Sequence, residues 1–311
     1  MIDPSDVVNT TPHESNIFWI SVLVYTVLSG LGSILIILSI GLKFRTDFSA
    51  RLVTYLSMAD LSLSIVCFAL CAYNLSNGHL QDSMSAVCRL QAFISWYFAQ
   101  SSILWLITIA INSYKTMFYD GHLTIKEEII ASVICWGVPV ITAGIPLNRG
   151  EIDIQYGQRN GVWCSFSSDH RIGQIAVLLS YYIVAVSIIC FCYVRIGMLV
   201  NKIGKTEATG SLTMIKVKAQ RKMFLYCVSY FVCWTPMLIS YIYEAWADRF
   251  VPFWAEYISA NLIHIQGVLN VILYGITEDM IVNIRGWIKS KSVTKTETSS
   301  SSSVELPKMV E

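Results

Sequence analysis

The sequence predicts an all-α integral membrane protein, built as a seven-transmembrane helix bundle with a short amphipathic helix after the seventh span. Only 14% of the 311 residues are charged and 54% are hydrophobic, whereas soluble domains carry about 25% charged residues. The apolar residues gather into seven runs of roughly 20 residues or more, and a helix of that length crosses about 30 Å of hydrocarbon. These observations exclude a soluble enzyme.

The runs divide the chain into four segments. Residues 1–16 are polar and acidic, without the pattern of a signal peptide, and we expect an extracellular N-terminus there. The bundle fills residues 17–277, an amphipathic membrane-surface helix fills 278–290, and a disordered Ser/Thr-rich cytoplasmic tail fills 291–311. The expected spans are residues 17–42, 52–73, 85–113, 129–147, 172–200, 219–244 and 252–277.

Lysine and arginine are distributed unevenly along the chain, and this predicts an orientation. Seventeen of the 22 residues fall on one side of the predicted membrane and five on the other. Loops rich in these residues stay cytoplasmic, so we expect the N-terminus outside and the C-terminus in the cytosol. The glycosylation sequons at Asn9 and Asn74 then lie outside, although Asn74 is so close to its span that a glycan there is less expected.

The nine cysteines form no CxxC pair and no metal-ligand spacing. Most fall inside apolar runs, where a thiol is usually a small buried hydrophobe. Cys88 and Cys164 are the exceptions, since both lie on the predicted outer side. That side is oxidising, so we expect a disulfide between them that holds the loop of residues 148–170 over the bundle.

A carboxylate in the middle of a membrane span is costly, and Asp60 occupies such a position. Ser102 in the third span and Asn270 in the seventh lie at comparable depth. The three residues offer hard oxygen ligands, which suit a switch built around Na⁺ or ordered water. The alternative is a polar seam that only holds the helices together.

The sixth span contains Tyr230-Phe231-Val232-Cys233-Trp234-Thr235-Pro236. A proline inside a helix removes a backbone hydrogen bond and kinks the helix. Trp234 beside the kink has two plausible packings, as a switch requires. The alternative is a kinked structural span with an interior tryptophan.

Taken together, these features resemble the G-protein-coupled receptors over nearly the whole chain. Each motif is weak alone, but all of them stand in the family's order and depth. The elements that carry the resemblance, besides the two cysteines, are Leu52–Asp60, Trp136 with Pro146, Tyr193, Cys233-Trp234-Thr235-Pro236 and Asn270-Val271-Ile272-Leu273-Tyr274.

The departures from the family pattern are also informative. Asn112-Ser113-Tyr114 replaces Asp-Arg-Tyr at the inner end of the third helix, which leaves Lys115 as the nearest substitute for the arginine. Other departures are Ser33, Ala185 and Val271, which replace the family's first-helix Asn and its fifth- and seventh-helix prolines. The stretch 266–275, with Trp163-Cys164, looks more like the cyclic-AMP-receptor-like (class E) group. That group implies cyclic AMP or another small chemoattractant or nutrient as ligand.

The resemblance implies a plasma-membrane receptor that binds an extracellular small ligand in the bundle. It would signal to a heterotrimeric G protein through movement of the sixth helix. The pocket candidates are Ser95, Trp96, Gln100, Tyr181, Trp234, Tyr241, Glu244 and His264, although aromatic residues at helical spacing are more often packing. The activation elements are Trp234, Pro236, Tyr274 and Tyr193.

On the cytoplasmic side, the resemblance implies a G-protein face made of Ser113, Tyr114, Lys115, Lys218, Arg221 and Lys222. The basic residues among them are also explained by the positive-inside rule and by contact with anionic membrane lipid. The Ser/Thr-rich tail is either a solvated segment or a phosphorylation cluster for a receptor kinase and an arrestin-like protein.

Several ligands and activities are disfavoured. Ser95 stands where amine receptors carry Asp, which argues against a biogenic amine. No lysine lies in the interior of any span to hold retinal, since Lys222 stands at the cytoplasmic end of the sixth span. A transporter or channel without G-protein coupling is the alternative, but transporters are built from internal repeats, and none is visible. We expect no catalytic residues, no cofactor, no metal beyond Na⁺ and no nucleic-acid partner.

Overall fold

The prediction of a seven-helix bundle is confirmed by a computed structural model of the chain. It describes residues 10–42, 48–78, 85–119, 121–147, 156–159, 161–166, 171–204, 211–247 and 251–278. The helices are α1 (Pro12–Leu42), α2 (Phe48–Asn77), α3 (Ala86–Tyr119), α4 (Ile125–Gly144, continued by a 3-10 turn Ile145–Leu147), α5 (Arg171–Gly204), α6 (Ser211–Ala247) and α7 (Phe253–Glu278). Between α4 and α5 lie two strands, β1 (Tyr156–Arg159) and β2 (Trp163–Phe166).

The strands form an antiparallel hairpin that the sequence reading did not predict. Gln158 pairs with Cys164 and Arg159 with Trp163, and Gly161 adopts φ +67° in the turn. A positive φ is readily accessible only to glycine, so this position favours the tight turn. We call the end of the bundle that carries this strand pair the hairpin end, and the other end the opposite end.

Helices α1 to α5 are each long and apolar enough to cross a membrane by length and composition, as judged over the described residues. Large apolar side chains are exposed along their outward faces, for example Leu31, Ile65 and Ile141. Such a surface suits hydrocarbon rather than water. Helices α6 and α7 carry more polar residues, and the polar side chains of α7 include the buried His264 and Asn270.

Helix α3 lies at the centre of the bundle. Its Trp105 is fully buried, stacks on Tyr55 of α2 at 4.6 Å and meets Trp136 of α4 edge-on at 6.0 Å. Aromatic rings bury large apolar areas, so this group stabilises the packing of three helices.

Helices α1 and α7 approach closely at two glycines. A Cβ at Gly32 would overlap the side chain of Val271, and a Cβ at Gly267 would overlap Ser29. Small residues let helix backbones pack closely in membranes, where apolar burial gives little driving force. Val271, which replaces the family's proline, is therefore part of this contact.

Several helices extend beyond the predicted spans because polar caps prolong them past the apolar runs. Thr11 and Glu14 exchange hydrogen bonds at the start of α1 (Thr11 N to Glu14 Oε2, 2.8 Å), so the helix begins at Pro12 rather than at residue 17. Thr124 and Glu127 form the same reciprocal capping box at the start of α4. Hydropathy alone does not detect such ends.

Some predictions fall outside the described residues. These are the sequon at Asn9, the amphipathic helix of residues 278–290 beyond its first residue, and the tail of residues 291–311.

Candidate functional site

A buried polar cluster joins α2, α3 and α7 near the middle of the bundle. Ser102 Oγ donates to Asp60 Oδ1 at 2.6 Å, and Asn270 Nδ2 donates to Asp60 Oδ2 at 2.9 Å. Ser229 of α6 donates to Asn270 Oδ1 at 3.4 Å. The structure thus brings together the three residues predicted as a switch and sodium site. Sequence reasoning missed Ser229, because one serine in an apolar run carries no pattern.

Trp234 lies one helical turn toward the hairpin end from this cluster and connects α6 to α7. Its Nε1 donates to Gln266 Oε1 at 2.6 Å, and its ring stacks on Tyr230 at 5.4 Å and 18°. Pro236 lies within α6 two residues later. The predicted Trp–Pro element is therefore joined to α7 through Trp234 and to α5 through the hydroxyls of Thr235 and Tyr182.

Two cavities open toward the hairpin end from Trp234. The first lies between α3, α5 and α6 and spans about 490 Å³ of space between atoms, part of which is open to solvent. Five predicted pocket residues line it: Trp96, Gln100, Tyr181, Trp234 and Tyr241. Tyr182, Tyr230 and Leu238 also line this cavity and were not among the residues predicted from the sequence.

Polar contacts order the wall of the first cavity. Thr142 of α4 donates to Gln100 Oε1 at 2.6 Å, and its hydroxyl lies 2.8 Å from that of Tyr181. The Trp96 ring lies 6.2 Å from that of Trp234 and 6.5 Å from that of Tyr241. The cavity is an aromatic box with a few fixed hydrogen-bonding groups, as is typical of small-molecule sites.

The second cavity lies between α1, α2, α3, α6, α7 and the hairpin, and spans about 640 Å³ of space between atoms, part of which is open to solvent. Ser95 and His264, predicted for the same pocket as Tyr181, line this cavity instead. Trp96 and Trp234 contribute to both walls. The single predicted pocket is therefore two compartments that share two tryptophans.

Glu244, which was also predicted for the ligand pocket, lines neither of these two cavities. Its carboxylate binds Arg159 Nη1 at 2.8 Å, and Arg159 also binds Glu256 of α7 through Nε at 2.9 Å. Trp163 Nε1 donates to Glu256 at 2.8 Å, and the guanidinium lies 3.9 Å above the ring centroid of Tyr241. We call Arg159, Glu244 and Glu256 the ionic cluster.

The ionic cluster is almost completely buried. The side chains of Arg159, Glu244 and Glu256 are 2%, 4% and 0% exposed. Burial by itself would lower the pKa of Arg159, but Glu256, Tyr241 and Glu244 outweigh it and raise that pKa above its usual value. The guanidinium therefore stays charged, and the glutamate on α6 serves to anchor the hairpin.

Further contacts attach the hairpin to the bundle. The predicted disulfide Cys88–Cys164 is present and ties β2 to α3. Trp19 of α1 donates to the Val162 carbonyl at 2.7 Å, and the Tyr156 hydroxyl donates to a carbonyl of α4 at 2.9 Å. Trp96 of α3 donates to a hairpin serine at 3.1 Å. Trp163, Cys164 and Ser165 of the hairpin line the second cavity described above, so the hairpin covers that cavity as a lid.

These features have counterparts in known proteins. The sequence matches the family described as 7 transmembrane receptor (rhodopsin family) over residues 32–274. The chain belongs to this family. The fold agrees, because a crystal structure of squid rhodopsin superposes with a TM-score of 0.77 over 99% of this chain and 97% of the rhodopsin, at 15% identity.

Similar sequences include melatonin receptors. The type 1A receptor of Phodopus sungorus is 27% identical over 276 residues, which cover 82% of this chain and 75% of the relative. The type 1B-B receptor of Danio rerio is 25% identical over 302 residues, covering 89% and 84%. The chain is therefore a G-protein-coupled receptor, and neither an enzyme nor a transporter.

The expected resemblance to the cyclic-AMP-receptor-like group is not supported. The departures at Ser33, Ala185 and Val271 lie inside the range that matches the rhodopsin family, so single replacements do not remove the overall similarity. The cavities agree with this correction, since no Asp, Glu, Lys or Arg lines either of them. An anionic phosphate binds Arg or Lys, and Arg159 is already held by two carboxylates.

At the opposite end, the receptor keeps a polar α3 terminus without the family arginine. Asn112 Oδ1 accepts from the Leu123 amide at 3.2 Å, and Ser113 is buried beneath it. Lys115, the nearest substitute for the arginine, binds Glu127 of α4 at 2.6 Å. Its ammonium group is thus directed to the side of the bundle.

Other predicted residues at this end are less fully described. Tyr114 stacks on Phe118, and the Tyr193 hydroxyl lies 4.0 Å from Cys227 Sγ. Lys218, Arg221 and Lys222 lie on α6 and Tyr274 lies on α7, but their side chains fall outside the described part of the structure. For Lys218, Arg221 and Lys222 of the predicted G-protein face, the structure therefore gives only the helix on which each residue lies.

The sequon at Asn74 lies at the hairpin end of α2. The residue is 2% exposed and its Oδ1 is buried. A glycan there would require this end of α2 to repack, which adds to the expectation that Asn74 is a poor acceptor.

Proposed function

We propose that this receptor binds a neutral aromatic small molecule in the first cavity and signals to a heterotrimeric G protein by movement of α6. The observation that supports this most directly is the uncharged aromatic lining, with Trp234 at the junction of the cavity and the proline-containing segment of α6. A charged ligand would lose hydration in this cavity without gaining an opposite charge.

The relatives suggest where to begin the ligand search. They are named melatonin receptors, and melatonin is a neutral indole amide. Gln100, Thr142 and Tyr181 offer amide and hydroxyl groups for such a molecule, and Trp96 and Tyr230 offer ring faces. We propose melatonin as the first ligand to test and related neutral aromatic amides as the next.

The coupling step follows from the contacts of Trp234. A ligand that contacts this ring changes the free energy of its hydrogen bond to Gln266 and of its stacking on Tyr230. The equilibrium between two α6 positions shifts only if the ligand binds these positions unequally. The kink at Pro236 would let the opposite end of α6 swing outward, toward a G protein near Ser113, Tyr114, Lys218, Arg221 and Lys222.

We also propose that Asp60 carries a sodium-linked switch. Its two oxygens accept hydrogen bonds from Ser102 and Asn270, so helix motion in the middle of the bundle must alter this cluster. Na⁺ bound by the carboxylate and these side-chain oxygens would favour one arrangement. Asp60→Asn should abolish the sodium dependence of agonist affinity, and an unchanged sodium dependence would overturn the proposal.

The orientation is proposed from charge and redox chemistry. The distribution of Lys and Arg supports an orientation with the hairpin end outside the cell, and an oxidising environment there would suit the Cys88–Cys164 disulfide. We propose the plasma membrane as the location. Asn9 is then available for glycosylation, and the C-terminal tail for a receptor kinase and an arrestin-like protein. Epitope tags on the two termini should show opposite accessibility in unpermeabilised cells.

The decisive test is nucleotide exchange on purified G-protein heterotrimers with the receptor in lipid nanodiscs. A neutral aromatic amide should accelerate exchange, and Leu238→Trp, which fills the first cavity, should raise the half-maximal concentration at least tenfold. Lys126→Gln, a change at the start of α4 far from the cavity, is the matched control. No stimulation of any heterotrimer by a broad ligand panel would contradict the proposal.

A further inference from the structure

Thr142 of α4 makes three polar contacts although it lies outside the lining of both cavities. Its hydroxyl lies 2.6 Å from Gln100 Oε1 of α3 and 2.8 Å from the Tyr181 hydroxyl of α5. The third contact is to the Val138 carbonyl, 3.1 Å away and one turn earlier on α4. One side chain therefore connects two walls of the first cavity from behind them.

The direction of these hydrogen bonds follows from the number of hydrogens available. A threonine hydroxyl has one hydrogen to donate and can accept two hydrogen bonds. Because carbonyl oxygens only accept, the hydrogen of Thr142 goes to Gln100 Oε1, the shorter contact, or to the Val138 carbonyl. In either case Tyr181 is the donor in its contact with Thr142. The hydroxyl hydrogen of Tyr181 is therefore used within the protein.

Tyr182, the next residue of α5, is in the same state. Its hydroxyl lies 2.5 Å from Thr235 Oγ1 of α6, and Thr235 itself donates to the Phe231 carbonyl. Thr235 has no second hydrogen to give, so Tyr182 donates to it. The two tyrosines of α5 that line the first cavity can therefore accept a hydrogen bond from a ligand, but their own hydrogens are already used.

Gln100 supplies a donor on the α3 wall of the cavity. The residue is 4% exposed and lines the first cavity. Thr142 holds its Oε1, whereas its Nε2 makes no hydrogen bond to any residue that the structure describes. An amide nitrogen carries two hydrogens, and a buried polar group almost always has a partner. The group that would satisfy Nε2 is an acceptor on a bound molecule.

We propose that Thr142 determines the ligand specificity of the first cavity by fixing the orientation of the Gln100 amide, so that the receptor selects neutral aromatic molecules with a carbonyl acceptor. This inference rests on the proposed function and adds which atom of the ligand's polar group is recognised. Thr142 is a positioning residue, because it acts on the ligand through Gln100. Without its hydroxyl, the amide is free to turn and to present either its oxygen or its nitrogen.

Three probes with the same ring system separate the acceptor of the ligand from its donor. They are melatonin, the ketone in which CH₂ replaces the amide N–H, and the analogue in which CH₂ replaces the carbonyl as well. Equilibrium dialysis of the full-length receptor in nanodiscs, with empty nanodiscs to correct for partition into lipid, gives each dissociation constant without any signalling readout. We expect the ketone to bind within about threefold of melatonin and the hydrocarbon analogue about tenfold more weakly.

Variants of Thr142 test its part in this preference. Thr142→Val keeps the shape but removes the hydroxyl, and should reduce the preference for the ketone over the hydrocarbon analogue to about threefold or less. Thr142→Ser retains the hydroxyl and should preserve the preference. Thr54→Val removes a hydroxyl that likewise donates to a carbonyl four residues earlier, on α2, and as the matched control should change none of the three constants. Gln100→Leu should also remove the preference, and it replaces Thr142→Val if that variant is not monodisperse.

The possible failures can be told apart. If the ketone binds as weakly as the hydrocarbon analogue, Gln100 presents its oxygen and the proposal is wrong. It is also wrong if Thr142→Val weakens all three probes equally or leaves the preference intact, because Thr142 then only packs between α3 and α5. If no probe binds the receptor above empty nanodiscs, the ligand class of the proposed function is wrong and this inference fails with it. Failure of this inference alone leaves the probes bound.

Discussion

The two ends of this receptor use ion pairs of nearly equal length in different surroundings. At the hairpin end, Arg159 binds Glu256 at 2.9 Å, with side chains 2% and 0% exposed. At the opposite end, Arg51 binds Glu128 at 2.8 Å, with side chains 37% and 11% exposed. Judged by distance alone, the two ion pairs are equal. Judged by exposure to solvent, they differ, because the Arg159–Glu256 pair is buried and the Arg51–Glu128 pair is partly exposed.

The difference lies in what happens when one partner is removed. A charge left behind in a dry site keeps its full desolvation cost, whereas a charge at a wet surface regains water. The hairpin end is therefore fixed by contacts that are costly to break singly. At the opposite end, where we propose that the G protein binds, the Arg51–Glu128 pair is more exposed, and we expect it to cost less to separate.

The largest expected effect comes from breaking the ionic cluster. Arg159→Met leaves Glu244 and Glu256 buried without their cation and should lower the free energy of unfolding by about 3–5 kcal/mol. Thermal unfolding of the purified receptor measures this. The triple variant with Glu244→Gln and Glu256→Gln should recover most of the loss, because no buried charge remains. A single variant as stable as the triple would contradict this account.

The next largest effect concerns the disulfide at the same end. Replacing Cys88 and Cys164 with serine opens a loop that spans 76 residues, and we expect a loss of about 2–4 kcal/mol. Hydrogen exchange should rise in residues 156–166. The neighbouring change Cys190→Ser, at an exposed free thiol of α5, is the control and should leave exchange there unaltered.

A smaller effect is expected where α1 meets α7. Gly267→Ala places a methyl group against Ser29, and overpacking of this kind costs about 1–3 kcal/mol. Gly137→Ala, at a position with nothing within 4 Å of the added Cβ, is the matched control and should be neutral or slightly stabilising. Equal melting temperatures for the two variants would refute the close contact.

The smallest effect is expected at the opposite end. Arg51→Met removes a partly exposed pair and should change the free energy of unfolding by less than about 1 kcal/mol. Compared with Arg159→Met under the same conditions, it tests directly whether burial rather than distance separates the two ends. Similar losses of unfolding free energy in Arg51→Met and Arg159→Met would show that burial does not distinguish the two ion pairs.

The sequence predicted the parts of this structure that depend on hydropathy and depth. Seven apolar runs gave seven helices, and Asp60, Ser102 and Asn270 meet because residues at equal depth on inward faces must be near each other. The bond between Cys88 and Cys164 followed from their shared side of the membrane.

The parts that the sequence did not predict depend on contacts between distant segments. Arg159 and Glu256 are 97 residues apart, and no periodic pattern links a loop arginine to a helix start. A usable signal existed, because Glu244 and Glu256 lie near the hairpin ends of their helices, close to the depth of Arg159. The division into two cavities depends on the rotamers of Trp96 and Trp234, which composition does not encode.

The position of Glu256 also has a consequence for biosynthesis. The ribosome delivers Arg159 to the membrane long before the seventh helix, so the guanidinium spends much of translation without its carboxylate partner on that helix. The lid can take its final place only once residue 256 has been inserted. A nascent chain that stops earlier leaves Arg159 without Glu256. Quality control can use this unpaired charge to distinguish such a chain from a finished receptor.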